Sequence, residues 1–289
     1  MADTARHGQI QQTFSGDLVS DAISLLQTHE PENGYWLAFS GGKDSIVIHD
    51  LAKKAGVKFI GHFSKTTVDP PEVTTFIREN YPDVIWAIPK KSMFQIIVQH
   101  GTPPTRFRRY CCRDLKEIGG RGETVILGIR AAESASRRKR KPYEESRIHK
   151  GTFFVNPILS WKDADVWDYI HNRGLAYPSL YDQGRTRIGC ILCPLQSHRG
   201  RVRDLVDFPK FAKAYLRAFG RMLDKMKAEG KESPLGWKTP EDVMDWWING
   251  DQKPAKCKDR SRGKAQAIYH KNTELPSELA QSIAGSVER

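Results

Sequence analysis

The chain has 289 residues, 39% of them apolar, and carries a formal net charge of +12. That is enough for one large domain, or a domain with an appendage, and the basic balance points to an anionic partner: nucleic acid, nucleotide or both. No apolar run reaches membrane-spanning length and the N-terminal stretch lacks the apolar core of a secretion signal, so a soluble, cytoplasmic protein with no membrane attachment is expected.

Residues 1–30 read as a helical lead-in, with "DLVSDAISLLQTH" apolar at helical spacing. "YWLAF" (35–39) reads as a buried strand and "SIVIHDLAKKAG" (45–56) as a helix closed by Gly56. Further strands are expected at 57–63, 83–88 and 123–129, with helices at 70–81 and 92–101 between them. This alternation predicts an α/β fold: a parallel twisted sheet with helices on both faces. A helix over 159–174 is expected to start with a capping box of Ser160 and Asp163 and to stop at Gly174. Beyond residue 200 the pattern turns helical. The expected division is therefore 1–30, a nucleotide-binding domain at 31–200, a C-terminal helical extension at 201–250, and a basic, flexible tail at 251–289.

Between the first strand and the first long helix lies "FSGGKDS". Gly41 and Gly42 permit a sharp turn that leaves backbone N–H groups facing outward, and the following helix points its positive end at the same spot. Ser40, Lys43 and Ser45 add donors. With Asp44, these residues form an anion cradle at a strand–helix junction, where open α/β sheets bind ligands. Arg130 follows the strand at 123–129 and so faces the same crevice. It reads as a phosphate contact or as a surface partner of Glu133 or Glu144.

Thirteen Lys/Arg and six Asp/Glu fall between Arg106 and Arg147. Within that segment Arg137, Arg138, Lys139, Arg140 and Lys141 form a run of cations, either a solvated loop or a phosphate-backbone contact for nucleic acid. "TRFRRYCCR" sets Arg106, Arg108, Arg109 and Arg113 around two cysteines, a cationic rim suited to phosphate or sulfate. The five cysteines are an odd set, two adjacent and two in C-x-x-C, which argues for metal or redox chemistry over disulfides. Cys111, Cys112, Cys190 and Cys193 supply four thiolates, enough for a [4Fe–4S] cluster or for tetrahedral zinc.

"SGGKDS" resembles the PP-loop of ATP pyrophosphatases and sulfonucleotide reductases. "NPILSWKDADVWDYIHNRGLAYPSLYDQGRTRIGCILC" (156–193) is similar to a block of the phosphoadenosine phosphosulfate (PAPS) reductase family. The resemblance covers about residues 33–195. It implies an adenine nucleotide alpha hydrolase-like domain that binds nucleotide through Ser40 to Ser45, with Asp69 near the adenosine or else an acid at a helix start. Lys43, Asp44 and Arg130 would act on the phosphates, and Trp161, Val166, Trp167, Tyr169 and Ile170 would be helix core. The branch resembling adenylylsulfate (APS) reductase carries the same cysteine pattern around a [4Fe–4S] cluster.

Two activities share that scaffold. Sulfonucleotide reductases attack sulfur with a cysteine in an E-C-G-[IL]-H motif, which is absent here; Cys257 is the remaining cysteine and lacks those neighbours. The other activity is ATP pyrophosphatase chemistry with Mg2+, adenylating DNA or tRNA for sulfur insertion. That reading implies a sulfur donor protein such as a cysteine desulfurase. APS or PAPS reduction is the alternative, and a non-catalytic nucleotide-binding or zinc-stabilised module is a third.

Overall fold

The computed structural model describes residues 17–250 apart from Pro234. Residues 1–16 of the expected lead-in, the basic tail and Cys257 lie outside the described residues. Within them the chain divides into two compact units interleaved in sequence. The first holds the residues up to Ser64, Pro71–Ala87 and Gly119–Ile188; the second holds Lys65–Pro70, Ile88–Ile118 and the residues from Gly189 on.

The first unit is built on a six-stranded sheet of order β3-β2-β1-β4-β6-β5. Its strands are β1 (Tyr35–Ala38), β2 (Phe59–Ser64), β3 (Ile85–Ala87), β4 (Thr124–Ile126), β5 (Tyr143–Glu145) and β6 (Phe153–Val155). β1 pairs parallel with both β2 and β4, placing Leu37 beside Gly61 on one side and Ile126 on the other. β2–β3 and β4–β6 are also parallel, and β5 alone is antiparallel. The sheet is thus mostly parallel, as the alternation predicts. Its antiparallel edge escaped sequence reading because "YEE" after Pro142 has the charge of a loop, which is also how edge strands avoid unwanted pairing.

Helices α1 (Leu18–Thr28), α2 (Lys43–Ala55), α3 (Pro71–Asn80) and α6 (Asp163–Arg173) belong to this unit, and α2 packs against both α1 and α6. Covered in this way, α2 buries Ile46, Val47, Ile48, Leu51, Ala52 and Ala55. Gly56, at φ 71°, closes it with its N–H on the Lys53 carbonyl. The helix begins two residues earlier than its apolar period suggests, so Lys43 and Asp44 form its first turn.

α6 also departs from expectation. Its N-cap is Lys162, not Ser160, and the Asp165 carboxylate accepts the Lys162 N–H at 2.6 Å. Asp163 is therefore the first residue of the helix, and its carboxylate goes elsewhere. Trp161, Val166 and Ile170 are buried as expected of core, and buried Tyr169 donates its hydroxyl to Asp50 at 2.7 Å.

The second unit holds α4 (Met93–His100), α5 (Tyr110–Leu115), α7 (His198–Asp207), α8 (Pro209–Ala228) and α9 (Pro240–Asn249). α8 packs on α4, α7 and α9, burying Tyr215, Ala218, Phe219, Met222 and Met226. α5 was not legible as a helix: "YCCRDL" is too short to show a period. Among the described residues no helix is long and apolar enough to cross a membrane.

His49, on α2, sits edge-on to Phe39, Phe59 and Tyr81, and burial pushes its pKa down to about 4 from the ordinary 6.5. The unfolded chain therefore binds one proton more than the folded chain between those values. Stability should be full above pH 6.5 and fall as pH drops toward 4, by roughly 3 kcal/mol at the lower end. His49→Phe should flatten that part of the profile, measured by urea unfolding across the range.

Candidate functional site

The order 3-2-1-4 makes β1 and β4 the strands at which the chain reverses its direction of travel across the sheet. Loops leaving the carboxyl ends of such strands diverge and open a crevice. Phe39–Gly42 leaves β1 there and 127–130 leaves β4.

Two glycines allow the close packing of this junction. Gly41 adopts φ 71°, and a Cβ on it would meet Val73 and Ile77 of α3 at 2.9 Å. Gly128 lies where a Cβ would meet the Asp44 carbonyl group at 3.0 Å. The chain has to leave the sheet to pass the start of α2, so β4 ends at Ile126, short of the expected 129.

The loop is held by its own hydroxyls. Ser45 Oγ donates to the Gly42 carbonyl at 2.8 Å, and Ser40 Oγ donates to Ser45 Oγ at 3.2 Å. Ser45 is buried and shapes the turn, while Ser40 is exposed. The Lys43 N–H donates to Tyr181 Oη at 2.9 Å. Burial pushes the Tyr181 phenol up, with the Asp44 and Asp163 charges adding, so it is neutral at physiological pH.

Four charges meet at the start of α2. Lys43 and Arg130 are each 4% exposed. Arg130 Nε donates to Asp44 Oδ1 at 2.6 Å, and its terminal nitrogen donates to Asp163 Oδ1 at 2.8 Å. Lys43 Nζ lies 3.1 Å from that same Asp163 oxygen and 3.4 Å from Asp44 Oδ2. Burial alone would lower the Arg130 pKa, but the Asp44 carboxylate holds it above its usual value.

The partners of Arg130 are thus Asp44 and Asp163, not Glu133 or Glu144. Glu133 takes its backbone N–H and the Arg137 guanidinium, and Glu144 takes Arg140. The cation run 137–141 is accordingly not a free loop: it forms a 3-10 turn over Arg137–Lys139 with two of its five charges neutralised.

Asp163, Tyr181 and Gly128 were missed as site residues. Asp163 and Tyr181 lie inside the 156–193 block, where the sequence pattern alone reads Asp163 as a capping acid.

The cysteines form a second cluster, within the second unit. Cys111 and Cys112 lie on the first turn of α5; Cys190 and Cys193 bracket a turn held from below by Asp204. That carboxylate, 1% exposed, accepts the Leu192 N–H at 2.7 Å and the Gln196 side chain at 3.0 Å. Leu192 sits at φ 59°, a left-handed conformation that a branched side chain keeps only where its surroundings impose it.

Arg106, expected on an anion-binding rim, instead donates to the carbonyls of Pro194 (3.0 Å), Leu195 (3.3 Å) and Gln196 (3.0 Å). It ties the segment before α5 to the C-x-x-C turn. Arg113 pairs with Asp114 at 2.7 Å. Asp69 commits both carboxylate oxygens to Thr66, each at 2.7 Å, and the Thr66 hydroxyl accepts from the Cys190 thiol at 3.4 Å.

The four thiols lie within electrostatic reach of one another. A hydrogen bond to Cys112 raises the Cys111 pKa, with burial and the charges of Cys112, Cys190 and Cys193 adding; the same bond lowers Cys112 to about 6. The donor set, all sulfur, fits a thiolate-bound centre. Among the described residues, however, no three His, Cys, Asp or Glu side chains stand in an arrangement ready to hold a metal ion.

The sheet order and its crossover define an α/β fold of the alpha hydrolase-like kind. The chain belongs to the phosphoadenosine phosphosulfate reductase family, whose domain matches residues 34–196. It is 29% identical over 203 residues to an uncharacterised protein of Methanocaldococcus jannaschii, covering 67% of this chain and 47% of that protein. A second uncharacterised protein of that organism is 31% identical over 196 residues, 60% of this chain and 39% of that protein. The chain thus spans less than half the length of these two relatives. An adenosine 5'-phosphosulfate reductase of Bacillus pumilus is 28% identical over 61% of this chain and 81% of its own length. Among solved structures, a Candida auris PAPS reductase in a phosphate complex is 20% identical with a TM-score of 0.45, covering 62% of this chain and 97% of that one.

Asp163→Asn removes one negative charge from the quartet and leaves both buried cations. Inorganic pyrophosphate should then bind roughly 5- to 20-fold more tightly, as expected of one lost competing charge at partly screened range. Calorimetric titration of the variant against wild type checks this.

Proposed function

We propose that the chain is a PP-loop ATP pyrophosphatase that adenylates a nucleic acid, DNA or tRNA, for sulfur insertion. The observation that carries this reading is the pair of buried cations, Lys43 and Arg130, at the start of α2, sharing one oxygen of Asp163. That oxygen stands in for a phosphate oxygen. On binding, the triphosphate takes over the cations and Asp163 gives way.

An acceptor oxygen of the substrate then attacks the α-phosphorus. The bond from that phosphorus to the bridging oxygen breaks, and pyrophosphate leaves with the electron pair. Lys43 and Arg130 stabilise the charge that develops on the leaving group, in a site where little water screens them. Tyr181 holds the Lys43 backbone and so fixes the first turn of α2. Sulfur delivered by a donor protein, such as a cysteine desulfurase, afterwards displaces AMP. Asp44 and Asp163 are the carboxylates available to Mg2+, which when bound neutralises phosphate charge.

Cys111, Cys112, Cys190 and Cys193 are assigned to a [4Fe–4S] cluster, on the strength of an all-thiol donor set in one neighbourhood. Bound there, it joins two segments distant in sequence.

A second reading, APS or PAPS reduction, is favoured by the names of relatives such as the Bacillus pumilus protein. It requires Cys257 as nucleophile.

The test is anaerobic incubation with a nucleic-acid acceptor and Mg2+, with ATP in one arm and, in the other, APS plus thioredoxin. AMP and pyrophosphate should form from ATP, and Lys43→Ala should slow this roughly 100-fold or more. Sulfite from APS that disappears in Cys257→Ser would overturn the reading in favour of the reductase. Metal analysis should find about four iron atoms per chain, and about one zinc without iron would overturn the cluster assignment.

A further inference from the structure

We propose that the solvent face of α8 is a contact surface for the phosphate backbone of double-stranded nucleic acid. The proposal rests on the nucleic-acid reading above and supplies a surface for it that the cation run at 137–141 serves poorly.

On one face of the helix stand Lys210, Lys213, Arg217 and Arg221, with a single acid, Asp224, at the C-terminal end of that face. At about 100° per residue these four positions fall within an arc of about 80°, so they form one stripe. With a rise of about 1.5 Å per residue the stripe is about 16 Å long. All four residues are exposed, whereas Tyr215, Ala218, Phe219 and Met222 on the opposite face are buried. None of the four side chains makes an ion pair or hydrogen bond among the described residues. The contrast with the 137–141 run is direct, because there Arg137 and Arg140 are neutralised by Glu133 and Glu144. It also holds within the second unit, where Arg203 pairs with Asp207 and Arg113 with Asp114.

Charge complementarity selects the occupant. Residues 251–289 carry more Lys and Arg than Asp and Glu, so they do not offer the complementary charge. Stable attachment to a membrane surface takes apolar side chains beside the cations, and none of the large exposed apolar residues lies on α8. No exposed large aromatic residue lies on α8 either, so base stacking is not offered by this face. What remains is a row of point charges matched to a polyanion of regular spacing. One strand of a duplex presents a charge every 3.4 Å or so along the axis. Such contacts position a duplex without reading its sequence, so binding should not depend on sequence.

The test is fluorescence anisotropy with two unrelated duplexes, at salt concentrations from about 50 to 200 mM. The full chain is used as wild type, as K210Q/K213Q/R217Q/R221Q, and as the charge-preserving R217K/R221K. The quadruple variant should lose up to about 3.6 units of the slope of log affinity against log salt, at about 0.9 per phosphate contact. R217K/R221K should keep the slope, both duplexes should behave alike, and all three proteins should unfold at the same temperature because the side chains are exposed. A quadruple variant with the wild-type slope overturns this surface and leaves the nucleic-acid reading standing. Wild type that binds anionic phospholipid vesicles but no duplex overturns both.

Discussion

A cation with almost no solvent contact must find its counter-charge inside the protein, and in the first unit Lys43 and Arg130 both do so in Asp44 and Asp163. Taking such charges out of water costs several kcal/mol each unless partners of good geometry repay it. The repayment here is complete in sign, two positive against two negative. The partners are unequal, however. The Asp44 side chain is 21% exposed and rides on α2 beside the loop, whereas that of Asp163 is 58% exposed and reaches in from α6. The better-solvated carboxylate is the one a phosphate can replace at least cost. Much of the surrounding structure serves to hold this arrangement: Gly41 and Gly128 allow the approach, the Ser45 hydroxyl closes the turn, and Tyr181 fixes the Lys43 amide.

The second unit solves a different problem with similar means. The C-x-x-C turn passes through Leu192 in a left-handed conformation, and the buried carboxylate of Asp204 takes the amide that this leaves. Arg106 binds three successive carbonyls beyond Cys193. The protein therefore joins the segment before α5 to the C-x-x-C turn with its own side chains. A metal centre on the four thiols would add to that tie and would not be its sole source.

The mostly parallel sheet was legible because its strands are short apolar runs between amphipathic helices, and the turn from β1 into α2 because two glycines stand between such elements. Exact ends were less legible, since tertiary contacts set them: β4 stops early where Gly128 passes α2, and α6 starts late because Asp163 serves two cations. Arg106 shows the limit of reading charge from a string. A guanidinium in a basic cluster looks like an anion site, yet backbone carbonyls more than eighty residues away claim it. The run at 137–141 shows a milder form of this, because the acids that pair with Arg137 and Arg140, Glu133 and Glu144, flank it at helical spacing instead of interrupting it.

The central claim concerns one atom: the Asp163 oxygen is a placeholder for phosphate. A crystal structure with a non-hydrolysable ATP analogue measures this directly. A phosphate oxygen should lie within hydrogen-bonding distance of both Lys43 Nζ and Arg130, with the Asp163 carboxylate withdrawn from them. An analogue bound elsewhere, with Asp163 still joined to both cations, would contradict it.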